Sequence, residues 1–382
     1  MATTLEQVRT PSRIDELEAV IGGPPRKPPE KPPLPGRLIS LDAYRGFIML
    51  ILAANGFGFS ALAKHPRYGV IARQFDHVPW TGMVFWDLIQ PAFMFMVGVA
   101  MPYAFHRRME QGGKFPDLFR HVAWRSLMLV VLSQILMCVS SNRLHFQLIN
   151  VLSQIAFTYL LSFVIMQMRF RWQVVAAAGL LAVHWALFGL FPGSEGAFSK
   201  ADNIGAIIDR ALGLKYTGYY VTINFISSTV TTLFGVWTGM LLIRNDSHAH
   251  RVKVLAGAAA VCFLGGAALT LSNPMVKRIW TASLTLFSGG WVLLMLLAFY
   301  WLVEMRGHRK LVFPLVVVGM NSIFIYSISI VLRRWLDNAV AVFTFRYQFI
   351  GDLAPVAQAT TVVLVMWYLC YWLYQRRIFF KL

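Results

Sequence analysis

Three polar residues stand where an apolar sequence has no ordinary use for them. In "FDHVPWTGMVFWDLIQP", residues 75–91, His77 precedes an apolar run and Asp87 interrupts it. In "LAANGFG", Asn55 closes an earlier apolar run. Histidine suits general-base work because its reference pKa lies near neutrality. A carboxylate can orient such a base or accept a hydrogen bond from a substrate, and an amide can donate to an oxygen that gains charge. Each also has a plainer reading: His77 as an interfacial side chain, Asp87 as a helix–helix hydrogen bond.

Further polar groups follow the same pattern. Asp42 and Arg45 in "SLDAYRGF" are three apart, so they share a helix face and can pair. They read equally as a structural ion pair and as groups at a cofactor mouth. Asn55 lies ~20 Å further along the same helix at 1.5 Å per residue. "HVPW" reads as a helix start, with proline before the first turn and Trp80 as an interfacial anchor. Asp87 is then ~10 Å deeper than His77 along the helix axis, and Asn55, His77 and Asp87 line one outer-half cavity. "VGMNSIFIYSISI" places Asn321 and Ser322 inside another apolar run, as interhelical hydrogen bonds or as contacts to a polar ligand. Metal-ligand spacings, a glycine-rich phosphate loop and a nucleophile elbow are all absent from the sequence.

The elements that must position these groups are membrane helices. The 382 residues are 57% hydrophobic and 14% charged, against roughly 25% charged in soluble domains. Apolar segments long enough to span a bilayer recur at about 38–62, 80–106, 120–140, 146–168, 172–191, 222–243, 252–272, 280–304, 311–335 and 354–375. The expected fold is an all-α polytopic bundle of about ten transmembrane helices over residues 37–382. The loop 192–221 holds "DNIGAIIDRALG", a candidate short amphipathic helix. Residues 1–36, with "GGPPRKPPEKPPLPG", read as a disordered proline-rich cytoplasmic tail. The glycines of "GVWTG", residues 235–239, fit the spacing that lets membrane helices approach closely. Cys138, Cys262 and Cys370 all lie in apolar runs and read as buried thiols, so no disulfide framework or metal cluster is expected.

The net charge of +18 points to anionic lipid headgroups rather than to nucleic acid. Arg107, Arg108, Arg169, Arg171, Arg244, Arg251, Arg306, Arg309, Lys310, Arg376 and Arg377 fall on alternate loops. With ten spans, this bias puts both termini in the cytoplasm.

Six stretches carry a family resemblance: "RLISLDAYRGFIMLILAANGFG", "HVPWTGMVFWDLIQPAFMFMVG", "NVLSQIAFTYLLSF", "PMVKRIWTASLTLFSGG", "FPLVVVGMNSIFIYS" and the ending "LYQRRIFFKL". In this order and spacing the chain resembles, over about residues 37–382, the transmembrane acetyltransferases typified by heparan-α-glucosaminide N-acetyltransferase. The resemblance implies an acyltransferase that takes an acetyl group from cytosolic acetyl-CoA and delivers it to an amino sugar or other glycan acceptor across the membrane. It implies His77 as the general base or acetyl carrier, Asn55 as its partner, and Asp87 as the family's motif aspartate. Asp42, Arg45, Trp80, Gln154, Lys277, Trp280, Asn321 and Ser322 fall in the matching motifs as substrate- or cofactor-binding candidates, with no metal. The family usually reads VLQR where this chain reads "VLSQ" at 151–154, so Gln154 stands where an intramembrane arginine is usual. A relative of bacterial type in the inner membrane is expected, and a homodimer is compatible with it. Two other classes remain: a transporter of small or lipid-linked molecules using the same cavity, or a structural membrane subunit whose site has decayed.

Overall fold

The computed structural model describes residues 38–144, 146–214 and 220–380. The proline-rich segment 1–36 lies outside the described residues. Among those described, no β-strand forms, and the apolar runs fold as helices. In chain order these are α1 (Ile39–Ala53), α2 (Ile89–Glu110), α3 (Phe115–Ser141), α4 (Val151–Met166), α5 (Phe170–Leu190), α6 (Ile204–Ala211), α7 (Phe225–Ile243), α8 (His248–Leu269), α9 (Ala282–Tyr300), α10 (Phe313–Met320), α11 (Ser322–Val331), α12 (Arg333–Thr344) and α13 (Ala354–Gln375). The chain is an all-α polytopic membrane protein.

Each of the ten expected spans has a helical counterpart, though not all are plain rods. Among the described residues, seven helical stretches are long and apolar enough to cross a membrane by themselves. Two more spans are bent pairs: α1 with the 3₁₀ turn Gly56–Leu62, broken by 42°, and α10 with α11, broken by 78°. The tenth, α4, has 16 residues. It reaches only ~24 Å, short of a ~30 Å hydrocarbon core. The short helix expected in the 192–221 loop is α6, whose Asn203 side chain accepts from the Ala206 N–H at 3.0 Å. The amphipathic α12, between α11 and α13, is an element that the apolar pattern does not announce.

Two helices form the centre. The apolar windows of α2 and α7 are 72% buried within the protein, whereas those of α3, α5 and α8 are 28% or less buried and face outward. Helix association in hydrocarbon depends on close van der Waals packing, because lipid tails are as apolar as the side chains. The small residues supply that closeness. A Cβ on Gly98 of α2 would stand 2.0 Å from the Thr232 carbonyl oxygen of α7, and one on Gly235 would stand 2.0 Å from the Phe95 carbonyl oxygen of α2. The "GVWTG" pair is therefore a true crossing. Gly235→Val must push α2 and α7 apart, and overpacking of this kind costs about 1–3 kcal/mol. A lower thermal denaturation midpoint in detergent, followed by size-exclusion chromatography, is the expected outcome. An unchanged midpoint would show that the crossing tolerates separation.

Candidate active site

The chain between α1 and α2 does not run helically into the membrane. Asn55 takes a left-handed conformation (φ 49°, ψ 53°) that ends α1, and Gly56, Phe57 and Gly58 follow with positive φ. Arg333, at the start of α12, donates from Nη1 to the Ala53 carbonyl and from Nη2 to the Ala54 carbonyl at 3.0 Å. The Ala53 carbonyl is one that the end of α1 would leave unpaired, while the Ala54 carbonyl also accepts from the Phe57 N–H at 3.1 Å. The turn is then packed by aromatic rings: Phe75 stacks on Phe59 at 5.2 Å and meets Phe85 edge-on at 5.8 Å. Phe75 Cβ also lies 3.0 Å from where a Gly56 side chain would begin.

Pro79 and Gly82 decide what happens next. Gly82 has φ 114°, and its N–H donates to the Met275 carbonyl at 2.8 Å. Helical structure starts only at Phe85, in the 3₁₀ turn Phe85–Leu88 that leads into α2. The expectation of a helix from "HVPW", with Asp87 two turns deeper than His77, is therefore corrected. The segment 77–84 folds back, and the His77 imidazole rests on the Asp87 carboxylate.

The contact is short. His77 Nδ1 lies 2.6 Å from Asp87 Oδ1. An ionised carboxylate only accepts, so Nδ1 carries the hydrogen, and in the neutral ring Nε2 carries the lone pair. The other oxygen, Oδ2, accepts from the Val84 N–H at 3.2 Å. Lys277 Nζ stands 3.5 Å from the same Oδ1 that His77 uses. The Asp87 and Lys277 side chains are 1% and 6% exposed, while His77 is 35% exposed. The charged pair is thus sealed, and the imidazole faces outward with its Nε2 in no hydrogen bond to the described residues.

Lys277 is held by its own turn. It opens the 3₁₀ turn Lys277–Ile279 between α8 and α9, and Trp280 closes it in a left-handed conformation (φ 51°). Asn224 Nδ2 donates to the Arg278 carbonyl at 2.9 Å, and the Ser227 hydroxyl donates to the Trp280 carbonyl. Gln154, in the "VLSQ" stretch, donates to the Thr222 carbonyl at 3.1 Å, two residues before Asn224. Around this turn several buried polar atoms have no partner among the described residues: Gln154 Oε1, Thr222 Oγ1, Asn224 Oδ1, Asn273 Nδ2 and Trp280 Nε1. Buried polar atoms are normally hydrogen-bonded, so these atoms keep unused hydrogen-bonding capacity inside the fold.

The other candidates divide between the two ends of the bundle. Asn55 is exposed at the His77 end, with its side chain in no hydrogen bond among the described residues. Trp80 Nε1 donates to the Phe198 carbonyl at 2.8 Å and packs on a cluster containing Val276 and Ile279. It buttresses the turn that carries Lys277. Asp42 and Arg45 lie 3.7 Å apart near the start of α1, at the far end from Asn55. Gly319 packs on the Asp42 carbonyl, which places the α10–α11 break at that far end too. There Asn321 donates to the Ile378 carbonyl and accepts from the Phe380 N–H, both at 3.1 Å. It pins the chain after α13, and Ser322 simply begins α11. Thr222, Asn224, Asn273 and Arg333 are absent from the sequence-based set. Lone amides in "VTINF" and "LSNP" at the edges of apolar runs were the available signal.

No family model matches the chain. Two curated proteins are similar to it over nearly its whole length. Heparan-alpha-glucosaminide N-acetyltransferase of Homo sapiens is 22% identical, and the alignment covers 98% of this chain and 64% of that protein. The protein of the same name from Mus musculus is 21% identical, with the same coverage. The chain is similar to these two acetyltransferases. It spans 64% of the length of the relatives it matches.

Proposed function

We propose that this protein is a membrane-bound acyltransferase that moves an acetyl group from acetyl-CoA to an amino sugar or other glycan acceptor at the His77 end of the bundle. In the orientation favoured by the basic loops, that end is the outer face and acetyl-CoA approaches from the cytoplasm. The bacterial inner membrane is the setting that fits this reading. The observation that carries it is the 2.6 Å contact between His77 Nδ1 and Asp87 Oδ1, with Lys277 on the same oxygen.

The chemistry follows from the tautomer. As the acceptor amine or hydroxyl attacks the thioester carbonyl carbon, its proton passes to His77 Nε2. The new bond from acceptor to carbonyl carbon forms and the C–S bond breaks. The imidazolium then returns the proton to the departing thiolate, so the histidine ends as it began. Asp87 holds the ring and stabilises the imidazolium, as the carboxylate does in a Ser-His-Asp triad. Lys277 keeps that carboxylate ionised in a sealed environment. The Asn55 amide, exposed at the same end, supplies a donor for the thioester oxygen as it gains charge.

The test is direct. Purified protein should release free CoA thiol from acetyl-CoA and transfer the acetyl group to glucosamine or to a glucosamine-ended oligosaccharide. Saturable turnover that depends on the acceptor supports the reading. Folded protein that neither binds nor turns over millimolar acetyl-CoA would refute it. Flux of acceptor sugars into proteoliposomes without acetylation would point to a transporter instead.

A further inference from the structure

The end of the bundle opposite His77 holds a basic groove that the acyl-transfer site does not use. The first turns of α3 present Asp117, Arg120, His121 and Trp124 at helical spacing, and Arg108 from the last turn of α2 completes the wall. The groove encloses about 460 Å³. It continues past Arg108 and His121 into a cleft of about 50 Å³ walled by Phe105, Arg125, Tyr159 and Phe163.

The charge balance in it is one-sided. Arg108 Nη2 donates to His121 Nε2 at 2.8 Å, so that nitrogen carries no proton. Arg125 lies 5.0 Å over the Tyr159 ring and makes one long bond of 3.4 Å to its hydroxyl. Its Nε is buried and has no partner among the described residues. Asp117 is the carboxylate among the lining residues, 3.4 Å from Arg120, and both side chains are largely exposed. Three guanidinium groups therefore share one solvated carboxylate. Guanidinium forks match the oxygens of a phosphate.

Position selects the source of that phosphate. α2 rises ~33 Å over its 22 residues, so Arg108 sits one hydrocarbon thickness from the His77 end, at headgroup depth. The groove opens on the flank of α3, whose apolar window is only 28% buried, beside exposed Phe119, Trp124 and Leu127. A lipid reaches it from that side, with its acyl chains along the apolar flank. We propose that this groove is a binding site for the phosphate headgroup of an anionic phospholipid, held by Arg108, Arg120 and Arg125. Basic pockets between membrane helices recognise such headgroups. The site is independent of the acyltransferase reading.

Native mass spectrometry of the detergent-solubilised protein, titrated with phosphatidylglycerol or phosphatidylcholine, tests it. Retention of phosphatidylglycerol roughly fivefold above phosphatidylcholine is expected. The double variant Arg108→Gln/Arg120→Gln should abolish the preference at an unchanged elution volume. If that variant does not fold, Arg120→Gln alone is read in the same way, because its side chain is 83% exposed. Equal retention of the two lipids, or a preference untouched by the variants, overturns the site. Displacement of phosphatidylglycerol by soluble CoA would assign the groove to a soluble phosphate ester and overturn the lipid assignment.

Discussion

His77→Ala should lower acetyl transfer by about 10²–10⁴-fold while leaving the affinity for acetyl-CoA within about twofold of the native value. The split follows from where the ring sits. Its Nδ1 is committed to Asp87 at 2.6 Å, and its outward nitrogen is the one that can take a proton. Removing the ring removes proton transfer in the transition state and few ground-state contacts, so kcat falls and KM does not. The fold should survive, because the side chain is 35% exposed and its loss leaves Asp87 with the Lys277 ammonium and the Val84 N–H. The measurement is steady-state kinetics of CoA release beside isothermal titration with acetyl-CoA. A variant that keeps native kcat would remove His77 from the chemistry and return it to the interfacial role that the sequence alone also allowed.

Two intervals explain why the bundle could be read from the sequence and the site only in part. Runs of 18 or more apolar residues announce themselves, and all ten segments between 38 and 375 found helices. The bend in α1 at Asn55 and the one between α10 and α11 at Asn321 were hidden, because the amides that cause them read equally as ligand-binding groups. The His77–Asp87 contact was misplaced for a local reason. A helix starting at "HVPW" would separate the two by ~10 Å, yet Pro79 and Gly82 turn the chain back and bring them to 2.6 Å. Those two residues are legible as breakers, but "HVPW" reads equally as a helix start. Lys277 was legible only through the motif resemblance, since 190 positions separate it from Asp87 and no periodicity joins them. Arg333 left no trace at all: an arginine at the end of an apolar run looks like any interfacial charge until its carbonyl partners at Ala53 and Ala54 are seen.

The buried carboxylate that first distinguished the sequence allows stability and catalysis to be separated. Lys277→Met leaves the Asp87 carboxyl 1% exposed and without its ammonium partner. Breaking a buried pair by removing one partner costs about 3–5 kcal/mol, so the thermal midpoint should fall sharply. Asp87→Asn strands the ammonium in the same way and damages catalysis as well. An amide cannot accept at both positions that Asp87 uses. Its NH₂ end must meet either the Val84 N–H or the imidazole Nδ1–H, and in both cases the imidazolium loses its counter-charge. Turnover should fall by about 10³–10⁴-fold, as when the carboxylate of a catalytic triad becomes an amide. The double variant Asp87→Asn/Lys277→Met removes both charges and fills the space with neutral groups of similar size. Replacing a whole buried pair is often neutral or stabilising, so the midpoint should return to within about 1 kcal/mol of native while turnover stays low. Thermal denaturation and CoA-release kinetics on the three variants decide it. Recovery of stability without activity assigns the carboxylate to the reaction and the lysine to keeping it charged. Recovery of both would mean that the ion pair merely holds the turn 277–279 against α2, and that the imidazole works without a charged partner.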